Sequence, residues 1–177
     1  MQTIEELRFP IGKFTRPDVV SNEQFHQYVG EIRSLPHELR NVVRQLTDNQ
    51  LDMPYREGGW TLRQVVHHLL DSHVNSYIRL KLALTEENPT IKPYDEASWA
   101  ELQDAKYGDV TLSLGMLDAL HGRWSSTLEN LTPDQIKRTF MHPESGVWRI
   151  DQNAAMYAWH GKHHLAHITE LKKRRGW

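Results

Sequence analysis

The chain holds eleven histidines, and they are bunched: three fall between His67 and His73, four between His160 and His167. Imidazole is the commonest neutral ligand for transition metals, and in a chain without a single cysteine it is the natural donor. The stretch Trp159-His160-Gly161-Lys162-His163-His164-Leu165-Ala166-His167 reads as helix. At about 100° per residue its four imidazoles fall within an arc of roughly 100°. Met156 and Leu171 share that arc, while Trp159 and Ala166 lie well outside it, so the histidine stripe is expected to face the interior. Two pairs, His160 with His164 and His163 with His167, have the i, i+4 spacing that presents two rings to one metal. Spacing does not choose between them. Gly161 stands where the His-Glu-x-x-His motif of metalloproteases carries its general base, which argues against a protease.

Val65-Val66-His67-His68-Leu69-Leu70-Asp71-Ser72-His73 supplies candidates for a third ligand. Val65, Val66, Leu69, Leu70, Tyr77, Leu80 and Leu84 share one side of a helix here, and His68 shares another with Gln64, Asp71, Ser72, Asn75 and Arg79. Such a polar stripe is either solvated or lines a pocket. Two ligands from one helix and a third from another leave room beside the metal for water or substrate, as a catalytic site requires. His26, His37, His121 and His142 stand alone and carry no such expectation.

Long amphipathic helices must position these clusters. The pattern predicts an extended lead-in over residues 1–20, broken by Pro10, Gly12 and Pro17. A first helix starts at Ser21, with Gln24 at capping-box spacing, and Pro36 is expected to bend or divide it. A short turn over Thr47 to Leu51 follows. The second long helix starts at Thr61 with Gln64 and stops before Asn88-Pro89. A connection with one short helix around Asp95 to Gln103 leads to a third helix, Thr111 to Leu131, burying Leu117, Leu120, Trp124, Leu128 and Leu131. Trp159 is likewise read as core. Thr132-Pro133 opens another short helix. Residues 139–150 suggest a small hairpin, whose position relative to the site spacing does not decide, and Asp151 is expected to cap a last helix ending at Gly176. Four long helices and one long crossover describe an all-α four-helix bundle in one domain spanning 1–177.

Composition removes whole classes. With 38% hydrophobic and 25% charged residues the chain suits a globular domain. Without cysteine there is no disulfide framework, no thiolate zinc site and no cysteine nucleophile. A net charge of −2 gives no field to draw nucleic acid or an acidic membrane. Lys172-Lys173-Arg174-Arg175 is read as complementing the negative end of the last helix. The N-terminus lacks the basic start and apolar stretch of a signal peptide, and no run is long enough to span a membrane, so a cytoplasmic location is expected.

Taken together, Trp60-Thr61-x-Arg63-x-Val65-Val66-His67-His68-Leu69-x-Asp71-Ser72-His73 and Trp159-His160-x-x-His163-His164-x-Ala166-His167-Ile168-Thr169 resemble the DinB-like helical bundle superfamily. Phe9-Pro10-Ile11-Gly12, Tyr55-Arg56-x-Gly58-Gly59-Trp60, Pro93-Tyr94-Asp95 and Gly176-Trp177 are similar to its YfiT branch, so the likeness spans essentially the whole chain. The family pattern is one His followed by Leu on the second helix and an i, i+4 pair on the last. Carried over, it implies His68, His160 and His164 as ligands of one divalent metal, zinc or nickel. His67, Asp71, His163 and His167 then become expected supporting or pocket residues, with Asp71 able to orient a ligand ring. The YfiT branch is described both as metal-dependent hydrolases and as bacillithiol S-transferases, commonly homodimeric. The favoured expectation is therefore a transferase joining a small-molecule thiol to an electrophile in detoxification, with Asn75 and Arg79 placed to meet the acidic groups of the thiol. A hydrolase using metal-activated water and a non-catalytic metal-binding module are the alternatives.

Overall fold

The computed structural model describes residues 2–177; residue 1 of the expected lead-in lies outside them. Four long helices carry the all-α architecture: α2 (Asn22–Val43), α4 (Leu62–Thr85), α7 (Val110–Glu129) and α9 (Ile150–Arg175). Both α2 and α4 pack along α7 and along α9. Helix α2 therefore faces α4 across the bundle, and α7 faces α9. Among the described residues no helix is long and apolar enough to cross a membrane.

The helix starts follow from the sequence. Ser21 and Thr61 side chains accept the N–H groups of Gln24 and Gln64, whose carboxamides accept the Ser21 and Thr61 N–H groups in return. Each such cap stabilises its helix by about 1 kcal/mol. Thr132 does the same for the short α8 (Pro133–Ile136), and α3 (Asp48–Leu51) supplies the expected turn after Thr47. Helix α9 ends at Gly176 in the left-handed conformation, φ +71°. The expected hairpin is present as β1 (Thr139–His142) and β2 (Gly146–Arg149), paired antiparallel with Phe140 opposite Trp148.

Several expectations are corrected. The lead-in is not extended throughout: α1 (Ile4–Arg8) forms before Pro10, started by a Thr3–Glu6 capping box. The single short helix in the crossover is two, α5 (Glu96–Ala100) and α6 (Gln103–Tyr107), because Leu102 takes an extended conformation between them. Gln64 Nε2 donates to the Ala100 carbonyl at 2.7 Å, tying the end of α5 to α4. Pro36 does not divide α2, which runs on through it. Asp151 does not cap α9. That role falls to Arg149, whose N–H is accepted by Gln152, while Asp151 is buried within the first turn between Lys137 and Arg149. Trp159 is half-buried rather than core. At the far end of α9, Lys172 donates to the Val42 carbonyl, Arg174 donates to the Tyr55 carbonyl, and Lys173 pairs with Glu170.

Two apolar clusters fill the bundle. One gathers Leu39, Val65, Leu69, Leu117 and Ile168, the other Phe25, Ile32, Leu80, Trp124, Phe140 and Tyr157. His73 on α4, His121 on α7 and His160 to His167 on α9 fall between the stretches that feed the two clusters, so a polar layer crosses the middle of the core. Close approach of α2 and α9 at this level depends on Gly161: a Cβ there would lie 2.6 Å from Leu35 Cδ2. The position of a metalloprotease's glutamate is thus turned onto a packed helix with no space for a side chain. Gly161→Ala is expected to lower unfolding stability by about 1 kcal/mol, overpacking outweighing the gain in helix propensity. Urea unfolding measures it.

Candidate metal centre

Helix α4 brings His68 and α9 brings His160 and His164 to one point in the polar layer. His68 Nε2 and His160 Nε2 are 3.2 Å apart. One ring nitrogen from each of the three lies within 4.8 Å of the others. All three rings are buried. Desolvation, reinforced by the neighbouring imidazoles, pushes His68 down to about 4 and holds His160 and His164 well below the ordinary histidine range. At neutral pH they are uncharged and offer lone pairs, which is the state a metal needs. The donor set therefore fits a divalent transition metal.

His163, His164 and His167 form a second set within the same distance, drawn entirely from α9. Two of its rings are occupied otherwise. His167 Nε2 donates to the Arg8 carbonyl at 3.0 Å, and its ring stacks on Tyr55 with centroids 4.0 Å apart. His163 stacks on Trp159 at 4.5 Å, with Nδ1 buried and without a partner among the described residues.

Other residues expected at the site are placed differently. His67, one residue and about 100° from His68, faces α6 and α7: Nδ1 is 2.7 Å from Ser113 Oγ and Nε2 is 3.3 Å from the Gly108 carbonyl. It does not reach the cluster. Asp71 makes no hydrogen bond to an imidazole among the described residues, and burial raises its carboxyl to about 6. Asn75 is turned back on its own helix, donating to the Asp71 carbonyl at 2.8 Å. Arg79 does face the cavity beside His160, and its buried Nε has no partner among the described residues.

That cavity, about 850 Å³, opens from His160 between Ser72, Arg79 and Tyr157 on one side and His142 and Trp148 of the hairpin on the other. Residues 139–150 thus form a wall of the site. A smaller cleft of about 380 Å³ reaches His68, His163 and His164 past Trp159. Trp60, Glu96, Met156 and His160 line both.

Two further histidines carry no spacing signal for a metal site. His73 is buried between His121 and His160, with His73 Nδ1 2.9 Å from His121 Nε2 and His73 Nε2 3.1 Å from His160 Nδ1. The available sign was that His121 lies in register with Leu117 and Trp124, a polar residue on an apolar stripe. Glu96, at the junction of the two clefts, lay in a connection that periodicity describes poorly.

A helical bundle whose polar layer gathers neutral imidazoles beside a cavity defines a class: bundles with a histidine site of metal-binding geometry between their helices. The chain belongs to the DinB superfamily, whose family model matches residues 31–168. A protein of Oceanobacillus iheyensis named "Putative metal-dependent hydrolase" is 55% identical over 170 residues, covering 96% of this chain and 98% of that protein. A Bacillus cereus (strain G9842) protein of the same description is 53% identical over 174 residues, covering 98% and 100%. The structure of YfiT from Bacillus subtilis, described as "a probable metal-dependent hydrolase with an unusual four-helix bundle topology", matches with a TM-score of 0.95 at 50% identity, over 97% of this chain and 99% of that one. The similarity to the YfiT branch read from the motifs extends to the whole fold.

Proposed function

We propose that this chain is a metal-dependent enzyme in which His68, His160 and His164 hold one divalent cation, zinc or nickel, and which transfers a small-molecule thiol such as bacillithiol to an electrophile. The observation that carries the reading is the convergence of three buried, uncharged imidazoles from two helices beside a cavity of about 850 Å³. When bound, such a cation supplies Lewis acidity that keeps a neighbouring thiol or water ionised at neutral pH.

The chain's own residues then bind and orient. None of the three imidazoles is hydrogen-bonded to a carboxylate among the described residues. A thiol, with an unperturbed pKa of about 8.5, needs far less help to ionise than water does. Arg79 offers an unpaired guanidinium nitrogen to an acidic group on the incoming thiol. Trp60, Trp148 and Tyr157 give the electrophile apolar walls that exclude water. The thiol sulfur bonds to the electrophilic carbon, the leaving group departs with its electron pair, and the thiol proton goes to solvent.

Glu96 favours a second reading. Its carboxylate lines both clefts with His160, where a hydrolase places a general base, and the names of the relatives point the same way. The metal-loaded protein offered bacillithiol with a fluorogenic electrophile, and separately esters, amides and lactams without thiol, decides. Transfer predicts product only with thiol. Turnover without thiol that falls on Glu96→Gln would replace transfer by hydrolysis, and tight metal binding with neither activity would leave a metal-binding module.

A further inference from the structure

Pro36 has no N–H, so the carbonyl of Ile32, its partner four residues back, is released from the hydrogen-bond ladder of α2. His121 Nδ1 lies 2.5 Å from that oxygen. A carbonyl only accepts, so His121 carries its proton on Nδ1 and presents a lone pair at Nε2. His73 Nδ1, 2.9 Å away, must donate to it. The remaining lone pair of His73, on Nε2, faces His160 Nδ1 at 3.1 Å, so His160 donates in turn. His160 is left with a lone pair on Nε2, the atom that faces His68. Any other arrangement of protons would set two N–H groups or two lone pairs against each other among these buried rings, at about 1–3 kcal/mol for each unsatisfied group.

A second chain runs to the other ligand of α9. The Arg8 carbonyl takes the Nε2 proton of His167, whose Nδ1 then accepts from His164 Nδ1 at 3.3 Å. His164 is left with Nε2 free. With a proton between them, His164 Nδ1 and His167 Nδ1 do not both offer a lone pair, which favours the group completed by His68 over the all-α9 group.

We propose that His73 and His121, anchored on the carbonyl that Pro36 releases, are positioning residues that hold His160 in its Nδ1–H tautomer and so dedicate its Nε2 to the metal, and that His167 with the Arg8 carbonyl does the same for His164. The proposal rests on His160 and His164 being the ligands.

Ring ¹H–¹⁵N correlation spectra of the labelled, metal-free wild-type protein test it without any variant. Both His160 and His164 are expected as Nδ1–H tautomers. His73→Phe should release the tautomer of His160 but not of His164, and weaken zinc affinity by about 10–100-fold, the usual cost of losing a partner of a ligand histidine. His73→Gln, whose carboxamide both accepts from His160 and donates to His121, should recover most of that affinity, which a packing role alone does not explain. Pro36→Ala is the mild probe: it gives the Ile32 carbonyl a competing N–H and should shift the His121 ring signals. An Nε2–H tautomer at His160 in the metal-free wild type overturns the proposal, as does a His73→Phe protein with the His160 tautomer and zinc affinity unchanged. Failure of the ligand assignment is seen separately, as zinc binding that survives His160→Ala.

Discussion

His68→Ala and His160→Ala are each expected to weaken zinc binding by at least about 100-fold, while His26→Ala leaves it unchanged. Zinc-finger peptides bind zinc with about 10–16 kcal/mol from four ligands, so each donor contributes about 2.5–4 kcal/mol, and 1.4 kcal/mol is tenfold in affinity. His68→Ala is the cleaner substitution, because among the described residues the ring's one hydrogen bond is to His160. In His160→Ala the Nε2 of His73 also loses its partner, so folding must be checked by circular dichroism. His26 is exposed and serves as the control. The two candidate groups share His164, which therefore does not separate them. His163 does: its removal should change affinity little, since its ring stacks on Trp159 at the cleft wall. Competition against a chromophoric chelator reads all four variants. Zinc binding lost in His163→Ala and retained in His68→Ala would move the metal onto α9 alone.

The parts of this architecture that could be read from sequence are those encoded in one helix at a time. Ser21 with Gln24, Thr61 with Gln64 and Thr132 with Gln135 mark helix starts because a cap is a contact three residues long. The inward stripe of His160, His163, His164 and His167 is legible because helical periodicity places all four on one face, and all four are buried. What escaped depends on contacts between helices. His73 is five residues from His68, about 140° round the helix, and meets His160 because α9 packs there. His121 was unremarkable until α2 offered it a carbonyl. Pro36 is the instructive case: read locally it breaks a helix, whereas in the bundle the acceptor it frees is filled by a side chain from α7. His67 and Asp71 show the converse. Sequence proximity to a ligand does not aim a side chain at it, and successive residues on a helix point about 100° apart.

The same buried layer makes the metal-free protein acutely sensitive to acid. His68, His121 and His167 are pushed by burial to about 4, and burial holds His73, His160 and His164 far below the ordinary value. Well above pH 6.5 neither the folded nor the unfolded chain protonates these rings, and they place no pH dependence on stability. As the pH falls below 6.5 the unfolded chain takes up protons that the folded chain refuses, so stability falls with falling pH. Each ring fully protonated only when unfolded contributes about 1.4 kcal/mol per pH unit. The six together approach about 8 kcal/mol per unit near pH 5, against a total stability of about 5–15 kcal/mol for an ordinary domain. The metal-free protein is therefore expected to unfold cooperatively around pH 5, taking up several protons as it does so. Excess zinc, which binds the neutral rings of the folded state, should move that midpoint to lower pH. Circular dichroism across pH 7 to 4, with proton uptake followed on a pH-stat, measures both. A metal-free protein that keeps its native spectrum at pH 4 after binding several protons would mean that these rings titrate in place, and that water reaches the layer on which both the metal site and its supporting hydrogen bonds depend.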